Sequence, residues 1–253
     1  MMNKHPIALQ LYSLRELAGQ DFVAALELAA GLGYEGVEFA GYGSLPSEEM
    51  KDHLARLNLQ AVSSHVSFER LQEHLEEEIT YNRVLGNRTL VCPVPPQGFD
   101  QSSAENWRRF AKDLSEIGKR VADQGFRLGY HNHSFEFVLL DGSYALDHFF
   151  AAVDPQSVFA QLDLGWILHG GENPVGYLRK YAGRTPLVHI KDFDDENRQT
   201  DVGYGRLDLP TVLKTTLDTG VEWLILETEV YKISPPESIR AGLASLRRAQ
   251  NDQ

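Results

Sequence analysis

Residues 21–40 read DFVAALELAAGLGYEGVEFA, and this stretch contains one unit of a repeating pattern. Its first half carries apolar residues at helical spacing and closes with Gly33, the residue type expected just past a helix end. Its second half is a short β-prone run that ends at residue 40. The stretch therefore predicts a helix that is followed directly by a strand.

The same alternation continues in both directions along the chain. Helical spacing returns in NWRRFAKDLSEIGKRVADQG (106–125) and LPTVLKTTLDTG (209–220), each again closed by glycine. Parallel strands joined by right-handed helical crossovers can close into a barrel at eight, and 253 residues allow about 31 per unit. We therefore predict an α/β chain that forms a (β/α)8 TIM barrel as a single domain over residues 1–253. The β-prone runs occupy residues 7–14, 33–40, 60–66, 88–94, 126–133, 158–166, 185–193 and 222–229.

The alternative to a barrel is an open, doubly wound sheet. That architecture commonly carries a glycine-rich phosphate loop after its first strand, and neither a GxGxxG nor a Walker-type motif follows residues 7–14 here. The segment CPVPPQGFD (92–100) is rich in proline and glycine, and its place after the fourth run indicates a loop at the barrel mouth. The barrel is the better prediction.

The composition argues against several classes of function. The formal net charge of −12 disfavours nucleic acid and anionic membrane surfaces as partners. Cys92 is the only cysteine, so an intrachain disulfide cannot form, which fits a reducing compartment. The start, MMNKHPIALQ, has no signal-peptide pattern or membrane span, and we expect a cytoplasmic protein.

Titratable residues cluster near the ends of the predicted strands. In a (β/α)8 barrel these ends meet at one mouth, where functional groups are found. A single histidine or carboxylate at such a place is more often structural, but charges that converge from four successive strands are costly to bury unless a cation pairs with them. The pattern predicts a divalent metal site. The residues in question are Glu38, His65, His131, His133, Glu136, Asp163, His189, Lys191 and Glu227.

The expected metal ligands are Asp163, His189 and Glu227, together with either Glu136 or His131 from the fifth run. Carboxylate and imidazole donors without a thiolate suit Mn²⁺, Mg²⁺ or Co²⁺ at least as well as Zn²⁺, and we expect Mn²⁺.

Four segments in this order resemble the sugar phosphate isomerase/epimerase family: YHNHSFEF, QLDLGW, VHIKDF and ILETE. These barrels are similar to xylose isomerase and include tagatose 3-epimerase, inosose dehydratase and endonuclease IV. The resemblance covers almost the whole chain and is specific for fold and metal site, not for substrate. It implies one divalent metal held by Glu, Asp, His and Glu from strands five to eight, and Asp163, His189 and Glu227 match the last three places.

The fifth strand departs from the family pattern. The place of the ligand glutamate is taken by His131, while Glu136 lies five residues later. Either Glu136 reaches the metal and leaves His131 and His133 to transfer protons, or His131 replaces the glutamate as ligand. We favour the first arrangement.

The resemblance implies an isomerase or epimerase that acts on a ketose or keto-sugar. A proton would be abstracted next to a metal-bound carbonyl, with an enediolate intermediate, and Glu227 and a fifth-strand group would act on opposite faces of the sugar. An imidazole at the fifth strand, with an unperturbed pKa of about 6.5, also suits protonation of a leaving hydroxyl. A keto-sugar or keto-inositol dehydratase or lyase is therefore the alternative.

Further residues are expected to bind the substrate. Lys191 could donate to a hydroxyl or pair with a neighbouring acid. His65 and Glu38 would hydrogen-bond to distal hydroxyls, and Gln10 and Tyr12 from the first strand would lie below them. Trp166, three residues beyond Asp163, could wall a sugar pocket. The chain has no arginine-rich or glycine-rich phosphate pocket, so we expect a substrate without phosphate.

Two other classes of function are weaker alternatives. A nuclease like endonuclease IV would need a three-zinc, histidine-rich cluster and a basic groove, which the charge argues against. A sugar-binding barrel without catalysis is disfavoured by the intact Asp163, His189 and Glu227. The family also implies a homodimer or homotetramer.

Overall fold

Eight strands form where the sequence predicts them. The computed structural model describes residues 4–252. The strands are β1 Ile7–Gln10, β2 Gly36–Ala40, β3 Gln60–His65, β4 Thr89–Cys92, β5 Arg127–His131, β6 Val158–Asp163, β7 Leu187–Ile190 and β8 Trp223–Leu226. They pair in parallel and close a barrel in the order β1-β8-β7-β6-β5-β4-β3-β2, which confirms the predicted fold.

Helices connect the strands and cover the outside of the barrel. They are α1 Arg15–Gln20, α2 Phe22–Leu32, α3 Ser47–Leu57, α4 Phe68–Glu73, α5 Leu75–Leu85, α6 Ala104–Asp123, α7 Ala145–Ala152, α8 Leu164–His169, α9 Pro174–Lys180, α10 Leu209–Thr219 and α11 Pro235–Asn251. Short 3-10 turns follow β1 and β5, at Leu11–Leu14 and Phe135–Phe137. Two small antiparallel hairpins were not predicted: Leu139–Leu140 with Ser143–Tyr144, and Asp192–Phe193 with Gln199–Thr200.

The glycines that the sequence marked as helix ends adopt the backbone conformation that this role requires. Gly33, Gly125 and Gly220 have φ angles of 96°, 76° and 82°. This left-handed region is accessible to glycine without the clash that a Cβ atom causes. The first predicted strand is shorter than its apolar run, because the chain turns at Gln10, whose side-chain oxygen accepts a hydrogen bond from the backbone N–H of Tyr12.

The interior of the barrel is divided into an apolar part and a polar part. The apolar part consists of Ala8, Val62, Val91, Phe159, Leu187 and Ile225. Gly129 on β5 makes room for the ring of Phe159, since a Cβ at residue 129 would lie 2.5 Å from that ring. Towards the carboxyl ends of the strands the side chains that face the interior are polar instead of apolar.

The strand register places these polar residues side by side. Glu38 is paired with Gln10 on one neighbouring strand and with Ser63 on the other. His131 is paired with Gln161, and Asp163 with His189, across the next strands. Strand pairing alone therefore brings side chains that are far apart in sequence to the same end of the barrel.

Among residues 4–252, no helix combines the length and the apolar character needed to cross a membrane.

The packing of α6 against the start of β6 yields a test of the fold. A Cβ at Gly118 would lie 2.4 Å from the backbone oxygen of Ser157, whereas a Cβ at Gly31 on α2 would meet nothing within 4 Å. We expect Gly118→Ala to lower the free energy of unfolding by about 1–3 kcal/mol, because a backbone atom must shift. Gly31→Ala should raise it by up to about 1 kcal/mol. Urea denaturation measures both, and equal stability of the two variants would contradict this packing.

Candidate functional site

Four buried side chains converge at the carboxyl end of the barrel. One nitrogen or oxygen atom from each lies within 4.8 Å of the corresponding atoms of the other three. They extend from β5, β6 and β7 and from the residue after β8, because parallel strands bring their carboxyl ends to one rim. We call them the four-residue cluster: His131, Asp163, His189 and Glu227.

The donor atoms of this cluster suit a divalent metal ion. Oδ2 of Asp163 is buried and has no hydrogen-bond partner among the described residues. It lies 3.9 Å from both Nε2 of His131 and Nδ1 of His189. A buried carboxylate oxygen that accepts no hydrogen bond is costly even with an ammonium nearby, and a bound cation would reduce that cost. Two imidazoles and two carboxylates form a set that Mn²⁺, Co²⁺ and Zn²⁺ accept. The cluster could therefore hold a metal.

The ammonium group of Lys191 lies beside the cluster. Its Nζ is 3.3 Å from Oδ2 of Asp163 and 3.0 Å from Oε2 of Glu227, and it also contacts Glu229. Burial alone would lower the pKa of Lys191, but the three carboxylates raise it above its ordinary value. The ring of Trp166 covers the same ammonium, with its centroid 4.8 Å from Nζ. Lys191 therefore stays charged and offsets part of the negative charge of the cluster.

Both ring nitrogens of His189 face carboxylates. Nδ1 is 2.8 Å from Oε2 of Glu227, and Nε2 is 2.5 Å from Oε1 of Glu38. Burial alone would lower the pKa of His189, but Glu38 and Glu227 raise it to about 10. The ring thus carries a proton on each nitrogen at neutral pH, and a metal ion at Nδ1 would have to displace one of them.

Glu38 is the centre of a second group of polar side chains. Its Oε2 accepts hydrogen bonds of 2.5 Å from the hydroxyl of Ser63 and from the amide of Gln161. Its Oε1 accepts a hydrogen bond of 2.7 Å from Gln10 and lies 3.1 Å from Nε2 of His65. Burial would raise the pKa of Glu38, but the neighbouring imidazoles outweigh it and hold this pKa well below its usual range. We call this group the Glu38 network: Gln10, Glu38, Ser63, His65 and Gln161.

Burial of Glu38 corrects its expected role. The sequence predicts that this carboxylate contacts a hydroxyl of the substrate, but the side chain is fully buried and its oxygens are occupied by the network. In this structure Glu38 therefore contacts neighbouring side chains, and its burial argues against direct contact with a ligand.

The structure brings an imidazole, and not the expected carboxylate, from the fifth strand to the four-residue cluster. His131 is the member of the cluster from β5, and its Nε2 faces Asp163. Its other nitrogen, Nδ1, is 3.2 Å from the side-chain oxygen of Gln161. Burial lowers the pKa of His131 well below its usual range, so the ring is neutral.

Glu136, favoured from the sequence as the fifth-strand ligand, lies outside the cluster. Its Oε1 accepts a hydrogen bond of 2.8 Å from the hydroxyl of Tyr130, and its Oε2 accepts one of 2.9 Å from the backbone N–H of His133. The 3-10 turn Phe135–Phe137 follows β5 at this point and directs the carboxylate towards Tyr130. Burial raises the pKa of Glu136 to about 8, so the group is mostly uncharged at neutral pH and a poor metal donor.

A cavity of about 340 Å³ opens beside the cluster at the mouth of the barrel, large enough for a small ligand. Several residues singled out in the sequence face it, whereas Lys191 and Trp166 do not line it. The lining residues are Tyr12, Ala40, His65, Pro93, Val94, His131, His133, Glu227 and Glu229.

His133 is a neutral imidazole at the wall of this cavity. Burial and the charge of Lys191 lower the pKa of His133 to about 3. Its ring stacks on Phe135 with a centroid distance of 5.4 Å, and its Nδ1 has no hydrogen-bond partner within the described residues. A neutral imidazole offers one donor and one acceptor, so His133 can hydrogen-bond to a ligand but cannot serve as a charged acid.

Three residues of the site were given no role from the sequence. Gln161 lies two positions before Asp163, so strand alternation alone places both on one face and could have identified it. Glu229 bears the same relation to Glu227, but its contact with Lys191 forms beyond the end of β8. Nothing in the sequence marked Ser63 as a site residue, because the register shift between β2 and β3 that turns its hydroxyl towards Glu38 is not visible there.

Comparison with known proteins places the chain in a family. A family model described as the xylose isomerase-like TIM barrel matches residues 26–249. Inosose dehydratase of Clostridium botulinum (strain Alaska E43 / Type E3) is 27% identical, and the match covers 82% of this chain and 82% of that protein.

Solved structures of low sequence identity share the fold. A sugar phosphate isomerase/epimerase from Parabacteroides distasonis ATCC 8503 superposes with a TM-score of 0.83 at 22% identity, over 96% of this chain and 98% of that one. An L-ribulose 3-epimerase superposes with a TM-score of 0.73 at 16% identity, over 99% and 97%. The segments at the strand ends predicted the same relationship, and the chain belongs to the xylose isomerase-like TIM barrel family.

Proposed function

We propose that this protein is a divalent-metal-dependent lyase that dehydrates a keto-sugar or keto-inositol. The observation that carries the proposal is the asymmetry of the cavity. A carboxylate, Glu227, faces it from β8, and imidazoles, His131 and His133, face it from β5. An epimerase working through two carboxylates would need one on each side, and Glu136 is directed elsewhere. The inosose dehydratase relatives are consistent with this proposal.

The four-residue cluster would hold the metal. Two of its four donors are imidazole nitrogens, which favours Mn²⁺, Co²⁺ or Zn²⁺ over Mg²⁺, and Mn²⁺ remains our first choice. When bound, the metal polarises the carbonyl group of the substrate and so makes the neighbouring C–H bond more acidic.

Two residues of the chain, Glu227 and His133, would then have separate roles in the elimination. Glu227 is an anion at the cavity, because the charges of Lys191 and His189 outweigh burial and hold its pKa below the usual range. It would take the proton from carbon. His133 would hydrogen-bond to the β-hydroxyl from the β5 side. The C–H and C–O bonds break and a C=C bond forms; Glu227 gives its proton to the departing hydroxide, so water leaves and the carboxylate is regenerated.

The cavity argues for a substrate without a phosphate group. Two of the described residues that line it are glutamates, and none is an arginine or a lysine. A phosphate dianion beside Glu227 and Glu229 would be repelled without a compensating donor. Tyr12, Pro93 and Val94 instead offer apolar surface to the carbon face of a ring.

Isomerisation or epimerisation on the same site is the second candidate. The observation that favours it is that groups able to exchange protons lie on the β5 side and on the β8 side of one cavity. Dehydration removes the β-hydroxyl from the substrate, whereas isomerisation and epimerisation retain it, so the product distinguishes the two reactions.

The fifth-strand assignment predicts opposite effects of two substitutions on metal binding. His131→Gln should lose most of its bound metal, because a donor is removed from the cluster. Glu136→Gln should retain the metal, because its carboxylate contacts Tyr130 and His133. Elemental analysis of the purified variants after incubation with Mn²⁺ measures both. The reverse result would restore Glu136 as the ligand.

The raised pKa of His189 predicts that metal affinity depends on pH. Below its pKa of about 10 the ring must lose a proton to bind metal, and below about 6 Asp163, whose pKa is raised by burial, becomes protonated as well. The affinity should therefore rise by up to about tenfold per pH unit between pH 7 and 9 and fall steeply below pH 6. Calorimetry in two buffers of different ionisation enthalpy measures the proton released. An affinity independent of pH would contradict this account.

The proposed reaction predicts the mass of the product. A keto-inositol incubated with the Mn²⁺-loaded protein should give a product lighter by one water, and Glu227→Gln should reduce this turnover by about 10²- to 10⁴-fold. Mass spectrometry and the ultraviolet absorbance of the unsaturated ketone follow the reaction. A product of unchanged mass would favour the isomerase. Faster turnover of a phosphorylated substrate would contradict the inference that the cavity disfavours a phosphate group.

A further inference from the structure

The Glu38 network contacts both imidazoles of the four-residue cluster. Nε2 of His189 lies against Glu38 directly, and Nδ1 of His131 lies against Gln161, whose amide is bonded to Glu38. The nitrogens on the other side of each ring, Nδ1 of His189 and Nε2 of His131, face Asp163. The two rings therefore use opposite nitrogens to face the cluster.

The direction of the hydrogen bonds around Glu38 follows from Gln10. The side-chain oxygen of Gln10 accepts a hydrogen bond of 3.1 Å from the backbone N–H of Tyr12, so its amide nitrogen must be the atom that faces Glu38. The hydroxyl of Ser63 donates to the same carboxylate. Glu38 is thus an acceptor, and any group that faces it has to present a hydrogen.

The same rule fixes the amide of Gln161. Its NH₂ group must face Glu38, at 2.5 Å, so its oxygen faces the imidazoles. That oxygen lies 3.2 Å from Nδ1 of His131 and 2.8 Å from Nε2 of His65. Because an oxygen of this kind only accepts, Nδ1 of His131 must carry the hydrogen, and Nε2 is left with its lone pair.

We propose that Glu38 is a positioning residue that sets the tautomers of both imidazole donors, acting on His189 directly and on His131 through Gln161. His131 then presents the lone pair of Nε2, while His189 keeps its hydrogen on Nε2 against Glu38 and releases the one on Nδ1 when a cation binds. Outer carboxylates that fix a ligand histidine commonly contribute 10- to 100-fold to metal affinity. The inference rests on the proposed metal site, but the tautomer of His131 can be measured without any metal.

The test combines a spectroscopic measurement with a binding measurement. Two-bond ¹H–¹⁵N correlation spectra of the metal-free protein should show His131 with its hydrogen on Nδ1. After Zn²⁺ is added, His131 should bind through Nε2 and His189 through Nδ1. In Glu38→Gln we expect His131 to redistribute between tautomers and the affinity for Zn²⁺ and Mn²⁺ to fall by about 10- to 100-fold.

Two further variants separate a positioning role from a general loss of structure. Gln161→Met removes the link between Glu38 and His131 and leaves the direct contact of Glu38 with His189, so the His131 tautomer should change while His189 still binds through Nδ1. Glu78→Gln is the matched control, since Glu78 is also a buried glutamate but is bonded to Tyr42 and Arg70, away from the cluster. It should leave metal affinity and both tautomers unchanged.

The outcomes distinguish this inference from the proposed function. If the wild-type protein binds no metal, the proposed function is wrong, and the tautomer of His131 in Glu38→Gln and Gln161→Met still decides the positioning role. If metal binds but Glu38→Gln keeps wild-type affinity and the Nδ1–H form of His131, the positioning role is wrong. A loss of affinity in Glu78→Gln as large as in Glu38→Gln would also overturn it.

Discussion

The burial of charge at the mouth of the barrel is the constraint on which the rest of the site depends. The carboxylates of Glu38, Asp163 and Glu227 all face the ring of His189 and are almost completely shielded from water. Such carboxylates are stable only when cations or hydrogen-bond donors pair with them. His189 and Lys191 supply the cations, and Oδ2 of Asp163, which accepts no hydrogen bond, marks the place where one more positive charge fits.

The barrel supplies the rigidity that this arrangement needs. Strand register sets which side chains are neighbours, and the apolar part of the interior keeps water away from one side of the polar groups. The backbone N–H of Tyr12 fixes the amide of Gln10 by donating to its oxygen. The amide nitrogen of Gln10 therefore donates to Glu38, and the amide nitrogen of Gln161 donates to the same carboxylate. A site held by strands and by directional hydrogen bonds is preorganised, so binding a metal requires proton displacement more than movement of the chain.

The sequence predicted the features that depend on local pattern. The eight β-prone runs, the glycines at helix ends and the convergence of Asp163, His189 and Glu227 all follow from spacing along the chain. The direction of Glu136 could not be predicted, because it depends on a turn after β5 and on a hydroxyl that only the tertiary fold brings near. The roles of Glu38 and Ser63 were hidden for the same reason, since they arise from contacts between strands and from a shift in register.

Anomalous diffraction from crystals grown with Mn²⁺ tests the central claim most directly. We expect one peak per chain, coordinated by Nε2 of His131, by Nδ1 of His189 and by the carboxylates of Asp163 and Glu227. The absence of a peak at the four-residue cluster, or a peak coordinated by Glu136, would contradict the account of this site.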